Sequence, residues 1–163
     1  MIFVTVGNDY RGFNRLLSKI DEIAPRVPTD ILIQRGYSSF SPEHAPFFDF
    51  VPMERAMEYL RTSDLVVSHA GIGTIILCKE YGTPLVILPR RKKYREHMND
   101  HQLEVAEALE RRKGENIYVA KGEEELEEKI FEALKGTKSS PAPNPGRTSL
   151  IRTIREFVET SAP

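Results

Sequence analysis

Residues 62–90 read TSDLVVSHAGIGTIILCKEYGTPLVILPR, and this stretch decides the fold. Leu65, Val66 and Val67 form an apolar run ending in Ser68, as in a strand buried on both faces. The run passes straight into a turn containing Gly71 and Gly73. The helix that follows, residues 74–81, is apolar on most sides and is expected to be buried. Gly82 and then Pro84 end it in the expected order, a glycine cap followed by a proline that cannot continue the helix. Residues 85–88 form another apolar strand. Strand, glycine turn, buried helix and strand make one βαβ unit, whose two strands run parallel.

The same alternation extends in both directions. Residues 2–6 are a continuous apolar strand. Phe13, Leu16, Leu17, Ile20, Ile23 and Ala24 recur at helical spacing, and Pro25 and Pro28 stop that helix. Residues 31–34 and 47–51 read as strands, and Met53, Ala56, Met57 and Leu60 mark a short helix. Beyond residue 90 come a helix with Leu103, Ala106 and Leu109, a strand at 117–119, and a helix with Leu126, Ile130, Ala133 and Leu134. The fold class is α/β: over residues 1–135, a Rossmann-like parallel sheet with helices on both faces. Residues 136–147 (GTKSSPAPNPGR) have no apolar period and read as a linker. Over residues 148–160, Leu150, Ile151, Ile154, Phe157 and Val158 put one apolar stripe on a C-terminal helix. That stripe is expected to bury itself on its own sheet, on a partner chain, or in a homo-oligomer.

Composition excludes several classes. A single cysteine, Cys78, rules out a disulfide framework and any CxxC metal site. The net charge of −1 argues against a general nucleic-acid binder. No apolar run approaches the ~20 residues of a membrane span. The apolar opening is followed at once by Asn8, Asp9 and Arg11, unlike a secretory leader. A cytoplasmic location is expected, with any membrane attachment made through a partner.

In an open parallel sheet, ligands sit beyond the carboxyl ends of the strands. Four loops belong there. The first, Gly7-Asn8-Asp9-Tyr10-Arg11-Gly12, is not a Walker A loop, because Phe13 and Asn14 follow Gly12. The second, Ser68-His69-Ala70-Gly71-Ile72-Gly73-Thr74, joins glycines that let a ligand approach the backbone to a helix N-terminus that favours an anion. Thr74 adds a hydroxyl. It lacks the third glycine of a dinucleotide fingerprint. Taken alone, His69 reads as a buried histidine that holds a loop. The third loop carries five cations in six positions, Arg90 to Arg95. Such a run is usually a solvated loop, but its place suits a diphosphate or an anionic membrane surface. The fourth, His97-Met98-Asn99-Asp100-His101-Gln102, opens a helix, with Asn99 or Asp100 as a candidate N-cap. No further ligand cluster supports a metal beside these two histidines.

Residues 62–90, followed by EHMNDHQLEVAEAL at 96–109, resemble the C-terminal domain of glycosyltransferase family 28. This is the donor half of GT-B enzymes such as the MurG-type peptidoglycan N-acetylglucosaminyltransferases. With the opening MIFVTVGN, the chain looks closer to the small catalytic subunits of bipartite lipid-diphosphate-linked N-acetylglucosaminyltransferases and exopolysaccharide glycosyltransferases. The resemblance covers roughly residues 1–135. It implies a domain that binds a UDP-sugar and faces an acceptor site on a separate, membrane-anchored subunit.

Residue by residue, the resemblance implies that Gly7 and Asn8 line the cleft. Ser68, His69, Gly71, Gly73 and Thr74 would hold the diphosphate, and Asn99, Asp100, His101 and Gln102 would contact the sugar. Arg90 joins the candidate binding set as the first cation of the third loop. The family usually has Thr at the place of Asn8. It usually has an acid that binds the ribose hydroxyls at the place of Leu77, and Glu80, one turn on, is the candidate substitute. No metal or other cofactor is implied, since a helix dipole and hydroxyls can stabilise departing UDP. His69 is the one candidate general base in this chain, with the partner subunit as the alternative source. The expectation is a donor-binding catalytic subunit that transfers a sugar, N-acetylglucosamine first, from a UDP-sugar to a lipid-linked acceptor. The alternative is a non-catalytic nucleotide-sugar-binding module. A sugar-nucleotide epimerase is disfavoured, because one chain supplies one half of its double-Rossmann plan.

Overall fold

Six strands form one parallel sheet in the order β3-β2-β1-β4-β5-β6, seen in a computed structural model that describes residues 1–111 and 116–136. The strands are β1 (Ile2–Thr5), β2 (Ile31–Gln34), β3 (Phe47–Phe48), β4 (Leu65–Ser68), β5 (Leu85–Ile87) and β6 (Ile117–Val119). The helices are α1 (Asn14–Ile23), α2 (Met53–Thr62), α3 (Ile72–Tyr81), α4 (His101–Glu110) and α5 (Leu126–Lys135). The chain winds outward from β1 through β2 to β3. It then crosses back to β4 on the other side of β1, in register from Ile2↔Leu65 to Thr5↔Ser68. The strand order reverses between β1 and β4, and such a switch point leaves a crevice for a ligand.

Alternation along the strands sends side chains to two cores. Ile2 and Val4 pack with Leu16, Leu17, Ile20 and Ile23 of α1 and with Leu126 and Ile130 of α5. Phe3 points the other way, to Leu60 of α2, Ile75 and Cys78 of α3, and Val105, Ala106 and Leu109 of α4. Each interior strand is therefore apolar on both faces. Thr5 shares the parity of Phe3, so it faces the α2–α3 side just where the strand ends.

The first and fifth strands each end one residue early, and larger differences lie elsewhere. The third strand shortens to Phe47–Phe48, because its partner β2 turns away at Gly36, whose φ is +56°. The helix after β4 begins at Ile72 with Gly71 as its N-cap, so Gly73 lies inside the first turn. A 3₁₀ turn over Lys92–Tyr94 interrupts the cation run. At the far end of α3, Gly82 takes the left-handed cap, φ +67°. Apart from Gly136, the expected linker and C-terminal helix lie outside the described residues. Among the described residues, no helix is long and apolar enough to cross a membrane.

Candidate functional site

A cleft of about 480 Å³ opens at the carboxyl edge of the sheet, over the gap between β1 and β4. Its polar wall carries Thr5, Asn8, Gln34, His69 and Thr74, with the backbones of Gly7, Gly71 and Gly73. Its opposite wall is apolar, built from Phe3, Val51, Met53, Ala56, Leu60 and Leu77. A second cavity of about 590 Å³ lies near the amino ends of β1 and β2, beside Pro28, Asp30 and His44. It is the larger of the two, but it has neither a glycine turn nor a helix N-terminus, and it lies at the wrong edge of the sheet for this fold.

The polar wall is a hydrogen-bonded series. Thr5 Oγ1 donates to Gln34 Oε1 at 3.0 Å and accepts the Gly7 N–H at 3.2 Å. Ser68 Oγ donates to the Thr5 carbonyl at 2.8 Å and lies 3.1 Å from His69 Nδ1. A hydroxyl has one proton. With that proton on the Thr5 carbonyl, Nδ1–H must donate to Ser68 Oγ, which leaves Nε2 bare. The ring is wedged between two glycines. A Cβ on Gly7, whose φ is +71°, would stand 2.6 Å from His69 Cε1, and a Cβ on Gly71 would collide with Nε2. Burial, and then the nearby Arg90 guanidinium, hold the imidazole pKa down to about 3. His69 is neutral at pH 7.

Across the turn, α3 presents its N-terminus to the cleft. The N–H groups of Ile72, Gly73 and Thr74 lie in the first turn, where a helix supplies no acceptor; the ladder starts with Ile75 N–H on Gly71 O at 3.1 Å. A Cβ on Gly73 would meet no atom within 4 Å, so the approach to these donors is open.

The structure thus brings Gly7, Asn8, His69, Gly71, Gly73 and Thr74 together in one cleft. The structure places the other candidates away from the wall of this cleft. Ser68 is fully buried and reaches the cleft only through His69. Arg90 is 0% exposed and does not line the cleft. Its guanidinium lies over the Phe13 ring, 4.8 Å from the centroid, and donates to the carbonyls of Val6 at 2.8 Å, Glu96 at 3.0 Å, and Gly12. It ties the loop after β1 to the loop after β5. Gln102 is buried too, with Oε1 accepting the Arg90 N–H at 3.0 Å. Asn99, Asp100 and His101 are exposed outside the cleft, because α4 starts from β5, one strand away from the β1–β4 gap. Asn99 Oδ1 accepts the His101 N–H, Asp100 Oδ1 accepts the Lys92 N–H, and His101 pairs with Glu104. Glu80 is not on the cleft wall, whereas Leu77 is.

Burial of the imidazole works against His69 as a proton acceptor. A group with a pKa near 3 takes a proton from an alcohol poorly at neutral pH. Among the described residues, no group of three or more His, Cys, Asp or Glu side chains could hold a metal ion. Sequence reading missed Thr5 and Gln34. Their signal was a polar residue ending an otherwise apolar parallel strand, IFVT and ILIQ. At the loop after β1, Asp9 faces Arg11, whose N–H and guanidinium it accepts. Burial opposes ionisation there, but Arg11 and Arg90 outweigh it and hold the carboxyl below its usual range.

The model of the glycosyltransferase family 28 C-terminal domain matches residues 1–156. The human UDP-N-acetylglucosamine transferase subunit ALG13 is 30% identical over 119 residues, 66% of this chain and 10% of the human protein. The subunit of the same name from Cryptococcus neoformans is 39% identical over 75 residues, 45% of this chain and 34% of the relative. The chain thus spans a small part of the length of these relatives. Among solved structures, the NMR solution structure of ALG13 superimposes with a TM-score of 0.58 at 19% identity, covering 97% of this chain and 96% of that one. That likeness is one of fold.

Proposed function

Because this chain belongs to the glycosyltransferase family 28 C-terminal domain family, we propose that it is the donor-binding, catalytic subunit of a two-chain glycosyltransferase. It takes a UDP-sugar, N-acetylglucosamine first, and transfers the sugar to a lipid-diphosphate-linked acceptor held by a membrane-anchored partner. The observation that carries this reading is the cleft at the β1–β4 switch point, with the open N-terminus of α3 beside His69. The transferase-subunit names of the relatives support it.

The chemistry follows from the wall. The diphosphate lies at the first turn of α3, where N–H groups and the helix dipole meet its charge. The bare Nε2 of His69 cannot donate to a phosphate oxygen. One hydroxyl rotation corrects this: Ser68 Oγ–H turns from the Thr5 carbonyl to Nδ1, and the imidazole proton moves to Nε2. In an inverting displacement, the acceptor oxygen forms its bond to the anomeric carbon as the carbon–phosphate oxygen bond breaks. The leaving UDP keeps the electron pair, stabilised at α3. The proton lost by the acceptor hydroxyl goes to a base on the partner chain, since His69 is too weakly basic. No metal takes part. The subunit sits at the membrane surface through its partner.

The test is co-expression with the candidate membrane-anchored subunit and assay of transfer from labelled UDP-sugars, with and without EDTA. Transfer from UDP-N-acetylglucosamine that survives EDTA is expected. UDP binding without transfer would favour a non-catalytic nucleotide-sugar-binding module, a reading that Leu77 on the cleft wall also supports. Truncation after Lys135 tests whether the C-terminal segment recruits the partner. The shortened chain should still fold and bind UDP but should not co-purify with it.

A further inference from the structure

The cation run contributes nothing to the cleft, and its form asks for another use. It divides by burial. Arg90 is inside, Arg91 hydrogen-bonds the Lys121 carbonyl, and Lys92, Lys93, Tyr94 and Arg95 are exposed. Among the described residues, no acid is ion-paired to Lys92, Lys93 or Arg95. Of the two acids on the loop, Glu96 is buried against Arg15, and Asp100 accepts the Lys92 N–H at 2.9 Å.

The loop is held rigidly from below. Glu96 is buried; it accepts two hydrogen bonds from Arg15, at 2.8 and 2.9 Å, and the Arg91 N–H at 3.0 Å. Arg95 is fixed in the left-handed region at φ +58°, closing the 3₁₀ turn with its N–H on the Lys92 carbonyl. Lys93 Nζ and Arg15 lie 4.6 and 4.8 Å from the Tyr94 ring centroid. Two amphipathic or apolar side chains stand with the cations: Tyr94 is 48% exposed and Met98 68%. In a chain of net charge −1, this is a concentrated positive surface. It lies at the carboxyl edge of the sheet, the same edge as the cleft.

We propose that the loop formed by Lys92, Lys93, Tyr94, Arg95 and Met98 is a contact for an anionic lipid bilayer, with the cations on headgroups and Tyr94 and Met98 at the interface. Clustered cations near an anionic leaflet each add attraction, and one amphipathic ring or thioether seats them at headgroup depth. A solvated loop needs no buried ion pair to set its backbone. A protein partner would need acids arranged to match, whereas a bilayer needs only charge density. This contact is independent of the donor reading, because none of the five residues lines the cleft.

The experiment uses the full chain and sedimentation with phosphatidylcholine vesicles, with and without phosphatidylglycerol. Binding to the anionic vesicles alone, weakened by salt, is expected. Neutralising each cation should weaken partitioning by about fivefold, and K92Q/K93Q/R95Q together by roughly a hundredfold. Met98→Ser should weaken it by a smaller factor. The thermal transition and UDP affinity of these variants should stay unchanged, which separates failure here from failure of the donor reading. Equal binding to neutral vesicles, no binding to either kind, or full binding by the triple variant would overturn the proposal. So would displacement by millimolar inorganic phosphate, which would mark a small-anion site instead.

Discussion

His69 and Gly71 occupy one space: a Cβ on Gly71 would collide with Nε2 of the imidazole two residues earlier in the chain. The turn is therefore built around a ring, and the glycine is required by the histidine. Gly73, two residues further on, meets nothing and faces the open cleft.

The two glycines should therefore fail differently. Gly71→Ala must displace the imidazole, so it should lower both Tm and UDP affinity. Gly73→Val should leave the thermal transition in place and abolish UDP binding, because its side chain covers the α3 N–H groups. Calorimetry and thermal melts on the two variants check this. Unchanged affinity in Gly73→Val would remove the nucleotide from this turn.

His69 should give a pH signature. Its pKa is about 3 in the fold against about 6.5 unfolded, so the unfolded chain binds the extra proton between those values. The stability is fully present above pH 6.5 and is lost as pH falls toward 3. By pH 5 the loss should be roughly 2 kcal/mol. The His69→Gln variant should lack this slope. A titration followed by NMR should find the His69 ring neutral throughout pH 5–8.

Arg90 should be a stability residue. Replacing it with Leu leaves three carbonyls without their donor in a buried setting, at about 3 kcal/mol or more. Arg90→Lys cannot fork across them and should also destabilise. Denaturant melts measure both. A near-neutral Arg90→Leu would mean that the loops after β1 and β5 are held by other contacts.

Leu77 lines the cleft and Glu80 does not. If the ribose lies against α3, Leu77→Glu should tighten UDP binding by roughly tenfold, the worth of a hydrogen bond to a charged group. Glu80→Ala should leave affinity unchanged. A loss of affinity in Glu80→Ala would mean that Glu80 makes the ribose contact.

The sheet was readable because parallel strands covered on both faces are continuous apolar runs, and residues 2–4, 31–33, 65–67 and 85–87 follow that rule. The glycine turn was readable because glycine beside a helix start has few other uses. What could not be read locally was direction. Arg90 belongs by composition to a solvated cation run, and the ring of Phe13, 77 residues earlier, with the distant carbonyls of Val6 and Gly12 and that of Glu96 six residues on, draws it inward. Gln102 went the same way, folded back on the Arg90 backbone. The apolar cleft wall was hidden for a related reason. Phe3 is packed as a core residue, 1% exposed, and also borders the cleft.

The pairing of β1 with β4 has a consequence for how the site comes into being. Ser68 Oγ meets the Thr5 carbonyl across 63 residues of chain, and both glycine turns hang from that register. A loop of this length closes slowly, and its closure is the step that non-local sheets wait for. Neither turn has its geometry until β4 has docked beside β1. A fragment ending before residue 65 would carry Gly7 but no crevice. Nucleotide binding should therefore appear late in refolding and in a single phase, as a reporter of the completed central pair of strands.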